Sequence, residues 1–485
     1  MVLGWKVHGD GKTPPPGEVV RPDERLSWPR TAGIGAQHVV AMFGATFVFP
    51  VLMGLDPNLA IMMSGVATIL FLLITSGRVP SYLGSSASFV GVAAAIRASG
   101  GDSGTVTGAI LWVGVALLAV GLVIHFLGAN VLHAVLPPVV TGAVVVLIGF
   151  NLAPVVANVY WPQDQWVAIA TMAFAVLSAV LLRGFWARIN VLLALVFGFA
   201  LSWVLDKTAG KVTSVQGGRN LLDASGHPCP TEGPYCIATA YPHDRVDFSA
   251  VKSADWLGLP HLHGPNFKMS AILLALPVVI ALIAENTGHV KAVAAMTRDD
   301  LDPYLGRALA ADGFTTTLAT AVGGAPTTTY SENIGVMAAT RIYSTAAYWV
   351  AAVVAIAVGF IPKFGALVAA IPGGVLGGIT VVLYGMIGLL GAKIWVENRV
   401  DFGDPVNLVP VAAGLILAIG NVTLHITDKF PLQGIALGTV VLLIGYHLLN
   451  LAVRRRDPAD MGRGLIAPME TEIGGDVRRH TPDSR

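Results

Sequence analysis

ENIGVMAATR, residues 332–341, repeats SFVGVAAAIR, residues 88–97, without a gap: Gly91 matches Gly335, Val92 Val336, Ala94 Ala338, Ala95 Ala339 and Arg97 Arg341. A second pair, LPPVVTGAVVVLIG (136–149) and IPGGVLGGITVVLYG (371–385), differs by one residue in length and recurs after a similar interval. Apolar helices often resemble one another by chance, so either match alone is weak. Two matches in the same order at similar intervals indicate an internal duplication.

Composition sets the medium. The 485 residues are 54% hydrophobic and 12% charged, with a mean hydropathy of +0.69. Soluble domains carry about 25% charged residues, so this is a polytopic membrane protein. A net charge of +1 and the lack of a long Lys/Arg block give no reason to expect nucleic acid as a partner. Residues 1–32 are rich in proline and charge and hold no apolar core with a small-residue cleavage site, so they read as a cytoplasmic tail. Residues 453–485 read as a second polar cytoplasmic tail.

A bilayer core of ~30 Å needs about 20 apolar residues per helix. Such stretches fall near 33–53, 57–76, 104–128, 134–157, 165–183, 189–207, 267–290, 345–361, 364–392, 406–426 and 431–452, and 80–97, 309–323 and 324–341 are shorter or interrupted. The expectation is about fourteen spans. Lys and Arg gather at alternate span ends, among them Arg25, Arg78, Arg183, Lys291, Arg341 and Lys393, which places both termini in the cytoplasm. The loop 208–266 then lies outside, with Cys229 and Cys236 either bridged in an oxidising exterior or left as two thiols. His227 and His243 lie nearby, but their spacing to the cysteines fits no common zinc pattern, and no metal is expected.

Seven spans separate the members of each repeated pair. Successive spans alternate direction, so an odd interval inverts the second half relative to the first. The expected fold is all-α, two inverted seven-span repeats. Inverted repeats with corresponding broken helices mark secondary transporters, with the site at the midplane between the breaks. GSSAS and APTTTY precede short helices with small or β-branched polar residues, predicting short strands that lead into half-helices in spans three and ten. Irregular backbone at that depth is tolerated only inside protein or beside a water-filled cavity. Ser331 is the expected N-cap of the second half-helix, with Glu332 in its first turn, where the helix dipole favours negative charge. Two half-helix N-termini facing each other present free N–H donors to whatever lies between.

Ionisable residues at membrane depth are costly to bury and default to functional readings. Glu332 is one; Glu285 and His289, four residues apart, share a helix face. About 9 Å of helix separates Glu285 from Lys291 and the expected inner boundary. The competing reading is an ion pair that only packs the helix end. Gln37 and His38 in the first span fit a helix–helix hydrogen bond or a ligand contact equally. Backbone donors, two carboxylates and the aromatics Phe89 and Tyr330 together suit a small, flat, neutral molecule carrying N–H and C=O groups. Two carboxylates argue against anions. A desolvated carboxylate can exchange a proton near neutral pH, which supplies a coupling ion without any cofactor.

These residues resemble the nucleobase–ascorbate transporter family, also called nucleobase:cation symporter 2. Its signature [QE]-N-x-G-x-x-x-x-T-[RK] is matched by Glu332, Asn333, Gly335, Thr340 and Arg341. QHVVAMFGATFVFP (37–50), YLGSSASF (82–89), AENTGHVKA (284–292) and GAKIWVENRVD (391–401) are also family-like, and the resemblance spans about residues 30–452. It implies a core domain (33–128 and 267–361) that holds the substrate. It also implies a gate domain (129–207 and 362–452) that forms the barrier and the contacts of a homodimer in the cytoplasmic membrane.

Glutamate at 332 resembles the bacterial uracil permeases, whereas xanthine and urate members usually carry glutamine there. Ser331 departs from the glycine common in close uracil permeases, and its side chain would narrow the pocket. By the same resemblance, Glu285 and Glu332 accept ring N–H groups, backbone amides near Ser88, Phe89 and Ser331 bind ring carbonyls, and Tyr330 adjoins them. His289, with Asn333, assists a proton on Glu285 and Glu332, and Tyr384 reaches the cluster from the gate. The implied function is proton-coupled import of uracil or a related pyrimidine by alternating access. A purine permease of the same family and an uncoupled nucleobase facilitator remain alternatives.

Two other classes compete. Sulfate-type anion exchangers of the same fold usually carry a folded cytoplasmic C-terminal domain, and only about 33 residues follow the last span here. An enzyme is disfavoured, because the chain holds no HExxH, no GxSxG and no phosphate-binding loop, and the Glu/His pair lacks a nucleophile.

Overall fold

Several helix boundaries fall at glycine or proline, as at Gly54, Gly128 and Pro372, although Pro50 and Pro410 lie inside helices. A computed structural model describes residues 4–12, 14, 18–128, 137–214, 240–420, 422–427 and 430–454; Cys229, Cys236 and His227 lie outside them. The spans run in chain order as α1 (Trp28–Met53), α2 (Pro57–Ile74), strand β1 (Leu83–Ser85) into α3 (Val90–Ala98), α4 (Ser103–Leu127), α5 (Pro138–Phe150), α6 (Gln165–Leu181) and α7 (Asn190–Thr208). The second half holds α8 (Val278–Thr297), α9 (Asp302–Ala321), strand β2 (Thr327–Thr329) into α10 (Ser331–Thr340), α11 (Thr345–Gly359), α12 (Gly373–Glu397), α13 (Pro405–Ile419) and α14 (Gly434–Arg454). Among the described residues, seven helical stretches are long and apolar enough to cross a membrane by themselves, or nine if two bent pairs are counted. The others are too short or too polar for that test, because protein rather than lipid surrounds much of them.

Three boundaries differ from the sequence reading. The stretch 364–392 is not one helix: Pro362–Ala369 lies at 84° to α11, and α12 starts only after Pro372. Proline supplies no N–H and disfavours helix in the residue before it, so the chain turns there. The stretch 134–157 yields a helix that ends at Phe150, followed by short turns whose last part meets α6 at 105°. The stretch 309–323, read as interrupted, is the latter part of an unbroken 20-residue helix, α9. Its glycines and polar residues are packing surface, not breaks.

The inverted repeat is visible in which helices touch. Under the duplication, α1–α7 correspond in order to α8–α14. The α4–α9 contact of one repeat order therefore equals α2–α11 of the other, and both are extensive. Likewise α6–α7 equals α13–α14, while α5 packs on its own counterpart α12. The repeats are thus intertwined: α4 of the first half is held by α9 of the second. Contacts sort the helices into two groups, one of α1–α4 with α8–α11 and one of α5–α7 with α12–α14.

Close backbone approach binds α4 to α9. A Cβ on Gly121 would run into the Ala310 backbone, and one on Gly313 into that of Leu118. Small residues at such contacts replace the hydrophobic driving force that lipid does not provide.

The two repeats meet on their shared axis. β1 and β2 pair antiparallel as Leu83↔Thr329, Gly84↔Thr328 and Ser85↔Thr327. Gly84 and Thr328 are separated by the same interval as the matched Gly91 and Gly335, so sequence-equivalent residues face each other at the centre. A residue paired with its own repeat mate lies on a two-fold axis, which fixes the pseudo-dyad at this pair.

Overpacking a close contact costs about 1–3 kcal/mol, sometimes more. Gly121→Leu is expected at or above the top of that range, seen as a lower thermal unfolding midpoint in detergent. Gly385, where a Cβ would meet nothing within 4 Å, is the control, and Gly385→Leu should leave the midpoint nearly unchanged. Equal losses at both positions would show that added side-chain bulk in general, not the α4–α9 contact, decides the outcome.

Candidate functional site

The strand pair ends where the half-helices begin. Beyond the ladder, Tyr330 N donates to Tyr82 O (3.0 Å) and Ser86 N donates to Pro326 O (3.0 Å). Tyr330 therefore stays extended as the N-cap residue of α10, and Ser331 is already helical. The expected Ser331 cap is corrected accordingly: its hydroxyl donates to Glu332 Oε2 at 3.2 Å instead of accepting from the first turn. Neither α3 nor α10 has a side-chain cap. Their first-turn amides are left to other partners.

Tyr330 is buried and structural. Its hydroxyl donates to Ser85 O (2.7 Å) and accepts from Thr46 Oγ1 (3.2 Å). Its ring lies against Gly84, where any Cβ would strike it. Glycine at 84 is what lets an aromatic side chain close over the axis.

Glu285 sits beside the side chains of Ser88 and Thr328, in the neighbourhood of Glu332. Thr328 Oγ1 is enclosed and makes no directional hydrogen bond to protein. His289 belongs to a relay that the sequence reading did not foresee. Its Nδ1 is 2.7 Å from Thr329 Oγ1. Thr329 Oγ1 donates to Asn286 Oδ1 at 2.9 Å, and Asn286 Nδ2 donates to Asp312 Oδ2 at 2.7 Å.

The relay fixes a tautomer. Asn286 Nδ2 also donates to the Leu282 carbonyl at 2.9 Å, which sets the amide orientation. Asn286 Oδ1 can then only accept, so the single Thr329 hydroxyl proton is committed to it. Thr329 must accept from His289, which puts a proton on Nδ1 and leaves Nε2 as the nitrogen whose protonation can vary. Asn286 and Asp312 are fully buried. Asp312 escaped notice because its helix was read as interrupted, yet an acid in mid-span was signal enough.

Asn333 is placed elsewhere. Its Nδ2 donates to His38 O (3.0 Å) and lies 3.1 Å from His38 Nδ1. The His38 ring packs 4.3 Å from that of Tyr348. Of the two readings of His38, the structure shows the helix–helix contact. Phe89 is fully buried as the residue that enters α3.

A cavity of about 250 Å³ opens between the two helix groups, with Ser331, Glu332 and Gly335 on one wall and Ile379, Val382 and Met386 of α12 on the other. Small residues of α1 (Ala41, Gly44, Ala45) make room for it. Of the predicted site residues, Ser331 and Glu332 line this cavity; Glu285, His289, Ser88, Phe89, Asn333 and Tyr330 do not. Tyr384 is buried on α12 without lining it.

The chain is similar to known permeases along most of its length. The family described as "Permease family" (Xan_ur_permease) matches residues 30–427. A putative pyrimidine permease RutG of Escherichia coli (strain K12) is 44% identical over 445 residues, covering 90% of this chain and 92% of that protein. A uracil permease of Bacillus caldolyticus is 34% identical over 442 residues, 88% and 92% of the two chains. Among solved structures, the transmembrane domain of the cyanobacterial bicarbonate transporter BicA aligns with a TM-score of 0.52 at 16% identity, covering 86% of this chain and 96% of that one. Murine Solute Carrier 26 family member A9, an anion transporter, gives 0.62 at 11% identity, covering 90% and 70%. These likenesses show a shared fold.

The relay has a stability signature. Asn286→Leu strands the Asp312 carboxyl and the Thr329 hydroxyl, and leaving a buried polar group without its partner costs roughly 1–3 kcal/mol. Adding Asp312→Leu should restore much of the loss, since replacing both partners by apolar groups can be nearly neutral. Unfolding in detergent measures both variants; additive losses would show that the two side chains are not coupled.

Proposed function

Because this chain belongs to the nucleobase–ascorbate transporter family, a family of permeases and not of enzymes, we propose that it carries a pyrimidine nucleobase across the cytoplasmic membrane, coupled to protons. The supporting observation is the pair of half-helix N-termini without side-chain caps, set opposite each other by β1 and β2, with Glu332 and Glu285 beside them. A pyrimidine such as uracil offers ring N–H groups to carboxylates and ring carbonyls to backbone N–H donors. In this reading Glu332 and Glu285 take the N–H groups, and amides near Phe89 and Ser331 take the carbonyls. The pyrimidine and uracil permeases among the relatives support the substrate class.

The cavity lies between the two helix groups, so relative motion of those groups would expose it to one side and then the other. Both termini then face the cytoplasm, and the exposed apolar faces of α6, α13 and α14 meet lipid or a second copy of the chain. Protons couple through Glu285 and His289. The carboxyl lies beside the substrate groups, and His289 Nε2 can hold a second proton while Nδ1 stays committed to Thr329.

Glu332→Gln keeps the shape of the side chain and loses its charge. Base binding should weaken roughly ten- to a hundredfold, the value of one hydrogen bond to a charged acceptor. Binding of labelled uracil to purified protein, with unlabelled pyrimidines and purines as competitors, measures this. Wild-type affinity in the variant would remove Glu332 from the site, and stronger competition by xanthine than by uracil would favour the purine reading.

Coupling is tested in proteoliposomes at zero membrane potential. An inward proton gradient should raise uracil accumulation, and Glu285→Gln should abolish that increase. His289→Ala should reduce the increase more than it reduces equilibrium binding. Uptake that ignores the gradient would leave a facilitator as the better account.

A further inference from the structure

The N-terminal segment, read from sequence as a passive tail, is built onto the end of the half-helix that carries Glu332. Val20 N donates to Arg341 O (3.0 Å) and Tyr343 N donates to Val20 O (2.8 Å), a parallel bridge between Val20 and Ile342. Two residues on, Thr345 N donates to Pro22 O (3.1 Å). The Thr345 hydroxyl donates to the same carbonyl (2.8 Å) and accepts from Trp5 Nε1 (2.8 Å). Val20, Leu26 and Ile342 are buried together as a small apolar cluster of their own. Arg341 is the residue that ends α10, in left-handed conformation at φ 58°.

The repeat shows why this matters. At the matching end of α3, Arg97 turns inward: its Nε donates to Met53 O (2.9 Å), and Nη2 donates to Gly54 O (3.0 Å). That side chain ties the first half-helix to the C-terminus of α1. Its repeat mate Arg341 is exposed, and the tie at the end of α10 is made by Trp5, Val20 and Pro22 instead. The duplication left one half-helix anchored by a side chain and the other by a segment from outside the repeat.

We propose that this segment is a clasp that positions α10, and through it Ser331 and Glu332, for substrate. The proposal rests on the substrate reading above for its binding arm. It makes Val20, Thr345 and Trp5 positioning residues, none of which touches the cavity.

Val20→Pro removes the N–H that holds Arg341 O. Thr345→Val removes the hydroxyl that links Trp5 to Pro22, and Thr345→Ser keeps it. Two readouts apply to the full chain in detergent: amide hydrogen exchange across residues 331–345, and the Kd for uracil. In Val20→Pro and Thr345→Val, exchange across α10 should speed up and the Kd should rise roughly three- to tenfold, the range given by one hydrogen bond of ordinary strength. Thr345→Ser should match the wild type in both. Should Val20→Pro fail to fold, the Thr345 pair decides alone. Unchanged exchange in the variants overturns the clasp, and faster exchange with unchanged Kd overturns its positioning role. If wild-type protein binds no pyrimidine, the substrate reading has failed, and the exchange arm, which needs no ligand, still decides whether the segment holds α10.

Discussion

Three residue pairs of antiparallel sheet hold this structure to its symmetry. β1 and β2 are too short to be stable in isolation, and in lipid their unpaired edges would be prohibitive. They persist because protein encloses them, and every residue of both strands is buried. Because Gly84 faces Thr328 on the axis, placing one half-helix places the other. The ladder brings two helix N-termini together in the middle of the molecule, a region where unsatisfied N–H groups are otherwise expensive. A site for a molecule with carbonyl and N–H groups follows from that constraint before any particular side chain is considered.

Around this pair the packing is a consequence of duplication. The two heaviest helix contacts, α4–α9 and α5–α12, join one repeat to the other, so neither half can form its core alone. Glycine makes the contact between α4 and α9 close enough to exclude lipid. The same logic explains why α9 tolerates Asp312, Thr315, Thr316 and Thr320: all four are buried against protein and bonded to it or to one another. Polarity that would expel a helix from lipid is here absorbed by neighbours.

That polarity also marks where sequence reading succeeded and where it stopped. The inverted repeat, the two broken spans and the carboxylates Glu285 and Glu332 were legible, because each rests on local pattern or on matched strings such as GVAAAIR and GVMAATR. The relay was not. Asn286 and Asp312 lie on different helices, and only the fold brings them within 2.7 Å. The role of Trp5, Val20 and Pro22 was hidden for the same reason: Val20 and Arg341 are distant in the chain, and a proline-rich charged stretch resembles any solvated tail. Ser331 was misplaced by one position because strand pairing at Tyr330, a tertiary effect, set the helix start.

The strand pair and the proton-bearing histidine share a residue. Thr329 pairs through its backbone with Leu83, and its hydroxyl receives the Nδ1 proton of His289 while donating to Asn286. A displacement of β2 along the ladder would therefore move the acceptor that fixes the His289 tautomer. In the proposed cycle, substrate at the N-terminus of α10 bears on the same short strand at the end that Thr329 closes, with only Tyr330 between them. Substrate occupancy and histidine protonation then act on one element, and linkage requires each to alter the affinity for the other. Coupling of this kind needs no long pathway. It needs only that a strand of three residues be held stiffly, by the dyad partner through its backbone and by α8 through His289 and Asn286 at Thr329.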